Sequence, residues 1–97
     1  MKKINITVIL TAKESTTEEL KNQLLNLVAP SRKETGCLQY DLHQSTEKSN
    51  VFVLHEIWEN EAIFEKHNNQ EYVKAFFALA PSLLEKEAEI IFTQPIV

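Results

Sequence analysis

The stretch from His55 to His67, HEIWENEAIFEKH, combines residue types that can bind and deprotonate a small molecule. Trp58 is the only tryptophan of the chain, and His67 follows nine residues later. An imidazole accepts and releases a proton near neutral pH, and an indole stacks on flat molecules and donates one hydrogen bond. If an apolar strand ends at Trp58 and a helix carries His67, both side chains can converge on one cavity. We therefore predict a small-molecule site with His67 as base and Trp58 as substrate-binding group.

Four segments alternate between apolar and polar residues, and this period of two predicts strands. The predicted strands are residues 3–12, 37–44, 51–58 and 88–93. The polar segment between the second and third strands predicts a hairpin loop. Both faces of the third strand carry apolar residues, so we expect it to be central and covered on both sides. A second copy of the chain is the simplest cover for the face without helices, which predicts a homodimer.

The first helix is predicted after Ser15, where leucines recur at helical spacing. Either Ser15 or Thr16 could form a capping box with a glutamate three residues later. Pro30 removes one helical hydrogen bond, so we expect a kink or a break near it. Gly36, the only glycine of the chain, predicts the end of the helix in the left-handed conformation.

A second helical region is predicted from the capping residue Asn60 to Pro81, with an interruption at residues 68–70. The resulting order is strand, helix, strand, strand, helix, strand. This order is typical of the ferredoxin-like α+β fold, in which the helices cover one face of the sheet. A length of 97 residues fits a single domain, which we place at residues 1–97.

Composition excludes several classes of function. The net charge is −4 with no basic stripe, which argues against nucleic-acid binding. No segment has the pattern of a signal peptide or the length of a membrane span, so we expect no membrane association and a cytoplasmic location. The only cysteine, Cys37, cannot form an internal disulfide and is expected to be a small strand residue. The spacing of the three histidines predicts no metal site, and one glycine cannot build a phosphate-binding loop.

Further candidates for the site come from the predicted strands and helices. The first strand has a semi-polar face, which predicts that Asn5 and Thr7 hold substrate or its anion. The face of Trp58 also carries Glu56, for which an ion pair with Arg32 is the structural alternative. The remaining candidates are ring-bearing residues that could line the pocket or simply fill the core: Tyr40, Phe64, Tyr72 and Phe76.

Both central candidates also have structural alternatives. His67 could bond a backbone carbonyl at a helix end, and Trp58 could be a packing residue. His43 and His55 fall on the opposite sheet face, where we expect them at the dimer interface.

The chain resembles the antibiotic biosynthesis monooxygenase family over nearly its whole length. The landmarks are the segment Arg32-Lys-Glu-Thr-Gly-Cys-Leu-Gln-Tyr40, then Leu42-His43, Glu56-Ile-Trp58, Ala62 with His67, and Gln94-Pro95. Their order and separations are specific for the family fold and not for a substrate. Small stand-alone members of this kind are most similar to the quinol monooxygenase branch.

The resemblance implies a dimeric α+β barrel and a monooxygenase that acts on a dihydroxylated aromatic with dioxygen, without flavin or metal. An electron-rich phenolate of the substrate would itself reduce dioxygen, while the protein supplies a base and a shaped apolar pocket. Relatives also include an isomerase and haem-degrading enzymes. The latter use an Asn in the first strand, and the predicted register places Thr7 there. Three alternatives stay open: an isomerase of a small hydroxy-carbonyl compound, a haem-degrading monooxygenase, and a non-catalytic ligand-binding dimer.

Overall fold

Four antiparallel strands form one sheet in the computed structural model, which describes residues 2–97. The strands are β1 (Ile4–Thr11), β2 (Cys37–Gln44), β3 (Val51–Trp58) and β4 (Glu89–Thr93), in the spatial order β2-β3-β1-β4. The helices are α1 (Thr17–Arg32), α2 (Glu61–Asn68) and α3 (Glu71–Leu83), and a 3-10 turn at Glu14–Thr16 precedes α1. This arrangement confirms the predicted ferredoxin-like α+β fold.

The core lies between the helices and one face of the sheet. Alternate residues of β1 and β3 point to this face because side chains along a strand alternate between its two sides. In β3 these residues are Phe52, Leu54, Glu56 and Trp58, and all four are buried. They pair across the sheet with the alternate apolar residues of β1, so that the two central strands present one continuous surface to the helices.

Helix α1 differs from the prediction at both ends. The capping box does not form; the hydroxyl of Thr16 instead donates to the carbonyl oxygen of Leu83 at 2.8 Å, which ties the start of α1 to the end of α3. At the other end the helix continues through Pro30 to Arg32. Burial of one face of α1 outweighs the hydrogen bond that the proline removes. Gly36 has φ of 86°, as predicted for the residue that ends this segment.

A β-bulge corrects the predicted register of β2. The pairing with β3 shifts between Cys37 and Gln39, so that Leu38 is the extra residue. The alternation of residues 37–44 would put Leu38 on the same face as Tyr40, but Tyr40 is buried and Leu38 is exposed. Cys37 instead lies opposite Trp58 and packs against the core.

The second helical region is two helices. Asn60 caps α2 as predicted, because its side chain accepts a hydrogen bond from the backbone N–H of Ile63 at 2.9 Å. Helix α2 ends at Asn68, and α3 begins three residues later. Helix α3 contains Pro81 in its last turn and continues to Leu83, so the proline does not close it.

The second face of the sheet carries no helix in the described chain. It presents apolar side chains from three strands, Ile9, Val53, Ile57 and Ile91, together with His55. The rings of His43 and His55 lie 5.4 Å apart on this face, as their predicted register required. Within residues 2–97, none of the helices is both long and apolar enough to cross a bilayer.

Candidate active site

His67 lies in the last turn of α2 and is buried, with 4% of its surface exposed. Its ring stacks on the indole of Trp58, with centroids 4.2 Å apart and planes inclined by 30°. Tyr40 approaches both rings edge-on, at 6.3 Å from Trp58 and 5.9 Å from His67. The last residue of β3 therefore supports one face of the imidazole, and the sheet and α2 together fix the plane of the ring.

One ring nitrogen of His67 bonds a carboxylate. Its Nδ1 lies 2.8 Å from Oε2 of Glu34, a residue in the short loop between α1 and β2. The hydroxyl of Tyr72, from α3, donates to the same oxygen and also lies 3.5 Å from the hydroxyl oxygen of Ser31. Burial, and then the hydrogen bond with Glu34, raises the pKa of Tyr72 to about 12. Tyr72 is therefore a protonated donor at neutral pH.

The other ring nitrogen faces a second carboxyl group. Nε2 of His67 lies 4.0 Å from Oε1 of Glu56, and this oxygen accepts a hydrogen bond from the indole N–H of Trp58 at 2.9 Å. Burial raises the pKa of Glu56, while the bond from Trp58 and the nearby His67 lower it by less. The imidazole thus lies between two carboxyl groups in different surroundings, and the group beside Nε2 holds a proton more readily than an ordinary glutamate.

A cavity of about 50 Å³ adjoins this group of residues, between the sheet and the helices. Its polar residues are Tyr40, Glu56, His67 and Asn68. The rest of the lining is apolar: Ile6, Val8, Leu10, Leu27, Leu54, Phe64, Val73, Phe76, Phe77 and Ile90. Burial, and then the charge of Glu56, raises the pKa of Tyr40 well above its ordinary range, so its hydroxyl stays protonated. The cavity therefore offers several hydrogen-bonding groups at one end of an apolar space.

Charged ligands fit this cavity poorly. None of the lining residues that the structure describes is a lysine or an arginine. An anionic substrate would therefore lie beside Glu56, and no described lining side chain is basic and able to compensate for its charge. Within residues 2–97, no three histidine, cysteine or acidic side chains are placed so that together they could hold a metal ion. The lining therefore favours a neutral molecule over an anion.

Five of the predicted site residues line the cavity: Tyr40, Glu56, Phe64, His67 and Phe76. Trp58 does not, because it is fully buried and His67 covers one of its faces. The predicted stacking of substrate on the indole is therefore not available in this structure. Tyr72 also lies outside the lining, since its hydroxyl is bonded to Glu34. Trp58 stacks on the imidazole, and the ring of Tyr72 lies edge-on to it with centroids 6.5 Å apart.

The positions of Asn5 and Thr7 contradict the prediction more strongly. They pair with Ile57 and His55, so they lie on the sheet face opposite to Trp58. The hydroxyl oxygen of Thr7 is 3.5 Å from Nδ1 of His55 on that face. The semi-polar face was predicted to line the cavity, whereas the aliphatic face of β1 does so. A strand cannot present neighbouring residues to the same side, so both assignments to the cavity are wrong.

Sequence reasoning missed Glu34 as a member of the site. Its loop position gives no periodic signal, and its partner His67 is 33 residues away. Two signs were available: Gly36 indicates a tight turn at this point, and the family landmark from Arg32 to Tyr40 contains Glu34. The suggested ion pair between Glu56 and Arg32 is also wrong. Arg32 bonds Asp41 at 3.0 Å and the carbonyl oxygen of Tyr40 at 2.9 Å instead.

Comparisons with known proteins agree on one family. The model of the antibiotic biosynthesis monooxygenase family matches residues 4–79. YcnE of Bacillus subtilis, whose name gives a provisional monooxygenase assignment, is 34% identical over 77 residues, which cover 79% of this chain and 81% of YcnE. The uncharacterized protein sll1783 of Synechocystis is 36% identical over 63 residues, which cover 65% of this chain. The match spans only 43% of sll1783, so this chain corresponds to less than half of that relative.

A solved structure shows the same fold. The crystal structure of PA3566 from Pseudomonas aeruginosa superposes on this chain with a TM-score of 0.93 and 35% sequence identity. The superposition covers 100% of this chain and 97% of PA3566. The strand order and the helical layer described above are therefore those of an experimentally determined relative.

Proposed function

We propose, from the premise that this chain belongs to the antibiotic biosynthesis monooxygenase family, that it oxygenates a quinol-like or polyphenolic aromatic without a flavin or a metal. One observation carries this proposal. A buried imidazole that lines a largely apolar cavity has one nitrogen bonded to a carboxylate, while the other lies 4.0 Å from Glu56, a second residue of the lining. This geometry suits a general base that removes a proton from a hydroxyl group of a flat substrate.

The reaction balances without an additional reductant. A 1,4-quinol and one dioxygen give a hydroxyquinone and one water, since the quinol itself supplies all four electrons. One oxygen atom enters the ring, and the other leaves as water. The protein needs to generate the electron-rich phenolate, exclude bulk water and hold the ring, and each of these tasks falls to residues of the cavity.

Glu56 complements the base in this proposal. Burial raises the pKa of Glu56, so this carboxyl holds a proton more readily than an ordinary glutamate, and in its protonated form it can donate a hydrogen bond to the oxygen that becomes negative. Tyr40 offers a second hydroxyl donor of high pKa. Tyr40 and the protonated form of Glu56 would together compensate for the absence of a basic side chain among the described lining residues when an oxyanion forms inside the cavity.

The size of the cavity indicates that substrate entry requires movement. Ligand sites usually measure roughly 300–1,000 Å³, and this cavity measures about 50 Å³. Phe77 is 44% exposed and Ile90 is 51% exposed, although both also line the cavity. Displacement of these two side chains would open it toward solvent without disturbing His67.

A homodimer is part of the same proposal. The uncovered sheet face presents a row of apolar residues that a second copy would bury. Apolar patches rimmed by polar residues often mark protein interfaces. The partner would cover the face opposite to the cavity, so each subunit would keep its own catalytic residues.

Oxygen consumption tests the proposal directly. We expect the purified protein to consume dioxygen with 1,4-dihydroxynaphthalene in the presence of a chelator and without flavin, above the autoxidation rate that denatured protein shows. With ¹⁸O-labelled dioxygen, one labelled atom should appear in the hydroxynaphthoquinone. Product formation from a hydroxy-carbonyl compound under strict anaerobiosis would instead support an isomerase. Tight binding of metabolites without any turnover would contradict an enzymatic function.

A further inference from the structure

We propose that Glu34 is the positioning residue of this site: it accepts the Nδ1 proton of His67 in a hydrogen bond and thereby keeps Nε2 free toward the cavity. This inference rests on the proposed function, in which His67 is the base. Glu34 does not line the cavity, so it would act only through the imidazole. A neutral imidazole has one N–H and one bare nitrogen, and the partner of the first determines which nitrogen is the base.

The backbone around Glu34 is fixed on both sides. Its N–H donates to the carbonyl oxygen of Ser31 at 3.1 Å, and its own carbonyl oxygen accepts from the N–H of Cys37, also at 3.1 Å. The side chain is 13% exposed. A short, internally bonded loop therefore holds the carboxylate at the end of α1, and the carboxylate does not depend on a flexible surface side chain for its position.

Tyr72 determines the direction of the hydrogen bond between Glu34 and His67. Its hydroxyl donates to Oε2 of Glu34, the same oxygen that contacts Nδ1. The high pKa of Tyr72 keeps this hydroxyl protonated, so the oxygen acts as an acceptor for both neighbours. The imidazole must then supply the proton of the second bond, and that proton resides on Nδ1.

The proton transfer follows from this tautomer. The O–H bond of the substrate breaks, its proton binds to Nε2 of His67, and the electron pair stays on the substrate oxygen. The imidazole becomes a cation with protons on both nitrogens. Glu34 lies 2.8 Å from Nδ1 and stabilises this cation from the side away from the substrate, as a carboxylate does behind a catalytic histidine. The competing interpretation is a salt bridge that only holds α2 against the loop.

Nitrogen NMR of the resting protein tests the tautomer without any substrate. In ¹⁵N-labelled protein above the titration of its histidines, we expect a directly bonded proton on Nδ1 of His67, with resonances assigned by their loss in His67→Gln. Glu34→Leu should abolish this signal and move the proton to Nε2. If Glu34→Leu does not fold, Glu34→Gln serves as a second variant, because glutamine retains the shape of the glutamate side chain. It should weaken the preference of the proton for Nδ1 over Nε2. The matched control is Glu65→Gln, which alters an exposed glutamate of α2 and should leave the signal unchanged.

Kinetics with 1,4-dihydroxynaphthalene test the consequence. Glu34→Gln should lower kcat at least tenfold with KM within about twofold, because it weakens the base and not the cavity. Glu34→Asp should recover part of the loss, and His67→Gln with Glu34→Gln should be no slower than His67→Gln alone. Two results would overturn the inference. One is a proton on Nε2 of His67 in the wild type, and the other is a double variant whose loss of kcat is the full sum, in free energy, of the losses of the two single variants. If the wild type consumes no oxygen, the proposed function fails, and the NMR result still decides whether Glu34 orders the imidazole.

Discussion

Trp58 and His67 form a stacked pair, with ring centroids 4.2 Å apart, at the junction of a strand and a helix. The pair is connected by polar contacts as well, because the indole N–H of Trp58 bonds the Glu56 oxygen that lies 4.0 Å from Nε2 of His67. The tryptophan therefore supports the imidazole of His67, the proposed base, and orients the carboxyl group beside it. The consequences can be measured one residue at a time.

Replacement of Trp58 by phenylalanine separates its two roles. Trp58→Phe keeps an aromatic ring against His67 but removes the N–H that donates a hydrogen bond to Glu56. We expect a loss of about 1–3 kcal/mol in the free energy of unfolding, because a buried acceptor loses its donor. Urea denaturation measures this value. An unchanged midpoint would show that the indole N–H contributes nothing to the folded state.

The raised pKa of Glu56 predicts a specific dependence of stability on pH. Between its ordinary value of 4.5 and the raised value, the folded protein binds more protons at this carboxyl than the unfolded chain does. The contribution of Glu56 to the free energy of unfolding of the wild type therefore falls as pH rises through that window, and it stays reduced at higher pH. Glu56→Gln removes this decline, so its stability relative to wild type should increase from pH 4 toward pH 7.

Urea denaturation at several pH values, with Glu59→Gln as an exposed control next to β3, measures the effect of Glu56. The difference between Glu56→Gln and wild type should grow with pH, while the control difference stays flat. A difference that shrinks with pH would mean that the ionised form is favoured in the folded protein, contrary to the dominant effect of burial.

His67→Gln tests the base. Glutamine keeps a polar side chain of similar length but cannot accept a proton at neutral pH. We expect oxygen consumption with 1,4-dihydroxynaphthalene to fall by about 10²–10⁴, the usual contribution of a general base. His43→Gln, on the opposite sheet face, is the matched control and should retain the wild-type rate per subunit. Turnover that survives in His67→Gln would remove this residue from the mechanism.

Phe77→Ala tests how substrates enter. Phe77 is 44% exposed and lines the cavity, and its ring contacts Phe76 edge-on with centroids 5.1 Å apart. Its removal should open the cavity and lower KM for two-ring quinols severalfold. The cost in stability should stay below the roughly 3–5 kcal/mol of a fully buried phenylalanine. Leu25→Ala, an exposed position of α1, provides the control, and a raised KM for every substrate would contradict the proposed route.

Ile57→Glu tests the proposed dimer. Ile57 lies on the sheet face that the helices leave uncovered, opposite Asn5 and Gln39. A carboxylate buried in an interface without a partner costs several kcal/mol, so we expect dissociation to become at least about tenfold more favourable. Sedimentation velocity over a concentration series measures this change. Leu25→Glu should leave the dimer intact, and a wild-type protein that sediments as a monomer at every concentration would exclude the proposed interface.

Most of the fold could be predicted because it follows from periodicity. Alternation located β2 and β3 at their observed boundaries, and the cap at Asn60 located the start of α2. The predicted break at Pro30 and the predicted helix end at Pro81 failed for the same reason. A helix can continue through a proline when one of its faces is well buried. Both α1 and α3 continue past a proline for this reason. The bulge at Leu38 could not be predicted, because an extra residue in one strand leaves no periodic signal.

The site was less predictable than the fold. Glu56 was predicted from the strand face that it shares with Trp58, and it lines the cavity. Asn5 failed because its polarity was taken as evidence for a cavity, whereas the strand register places it on the other face. Glu34 could not be found, since loop side chains reach their partners through tertiary packing. Sequence patterns determine which face a residue occupies, and they do not determine which side chains meet across separate elements.

Gly36 has a consequence for the whole site that its position in a loop does not suggest. A Cβ atom at this glycine would lie 2.7 Å from Cγ2 of Ile63, and Ile63 lies one turn before His67 on α2. Any larger residue would push that helix outward and carry the imidazole away from its carboxylate. The absence of a side chain at Gly36 thus sets the spacing between loop and helix on which the alignment of the proposed base depends.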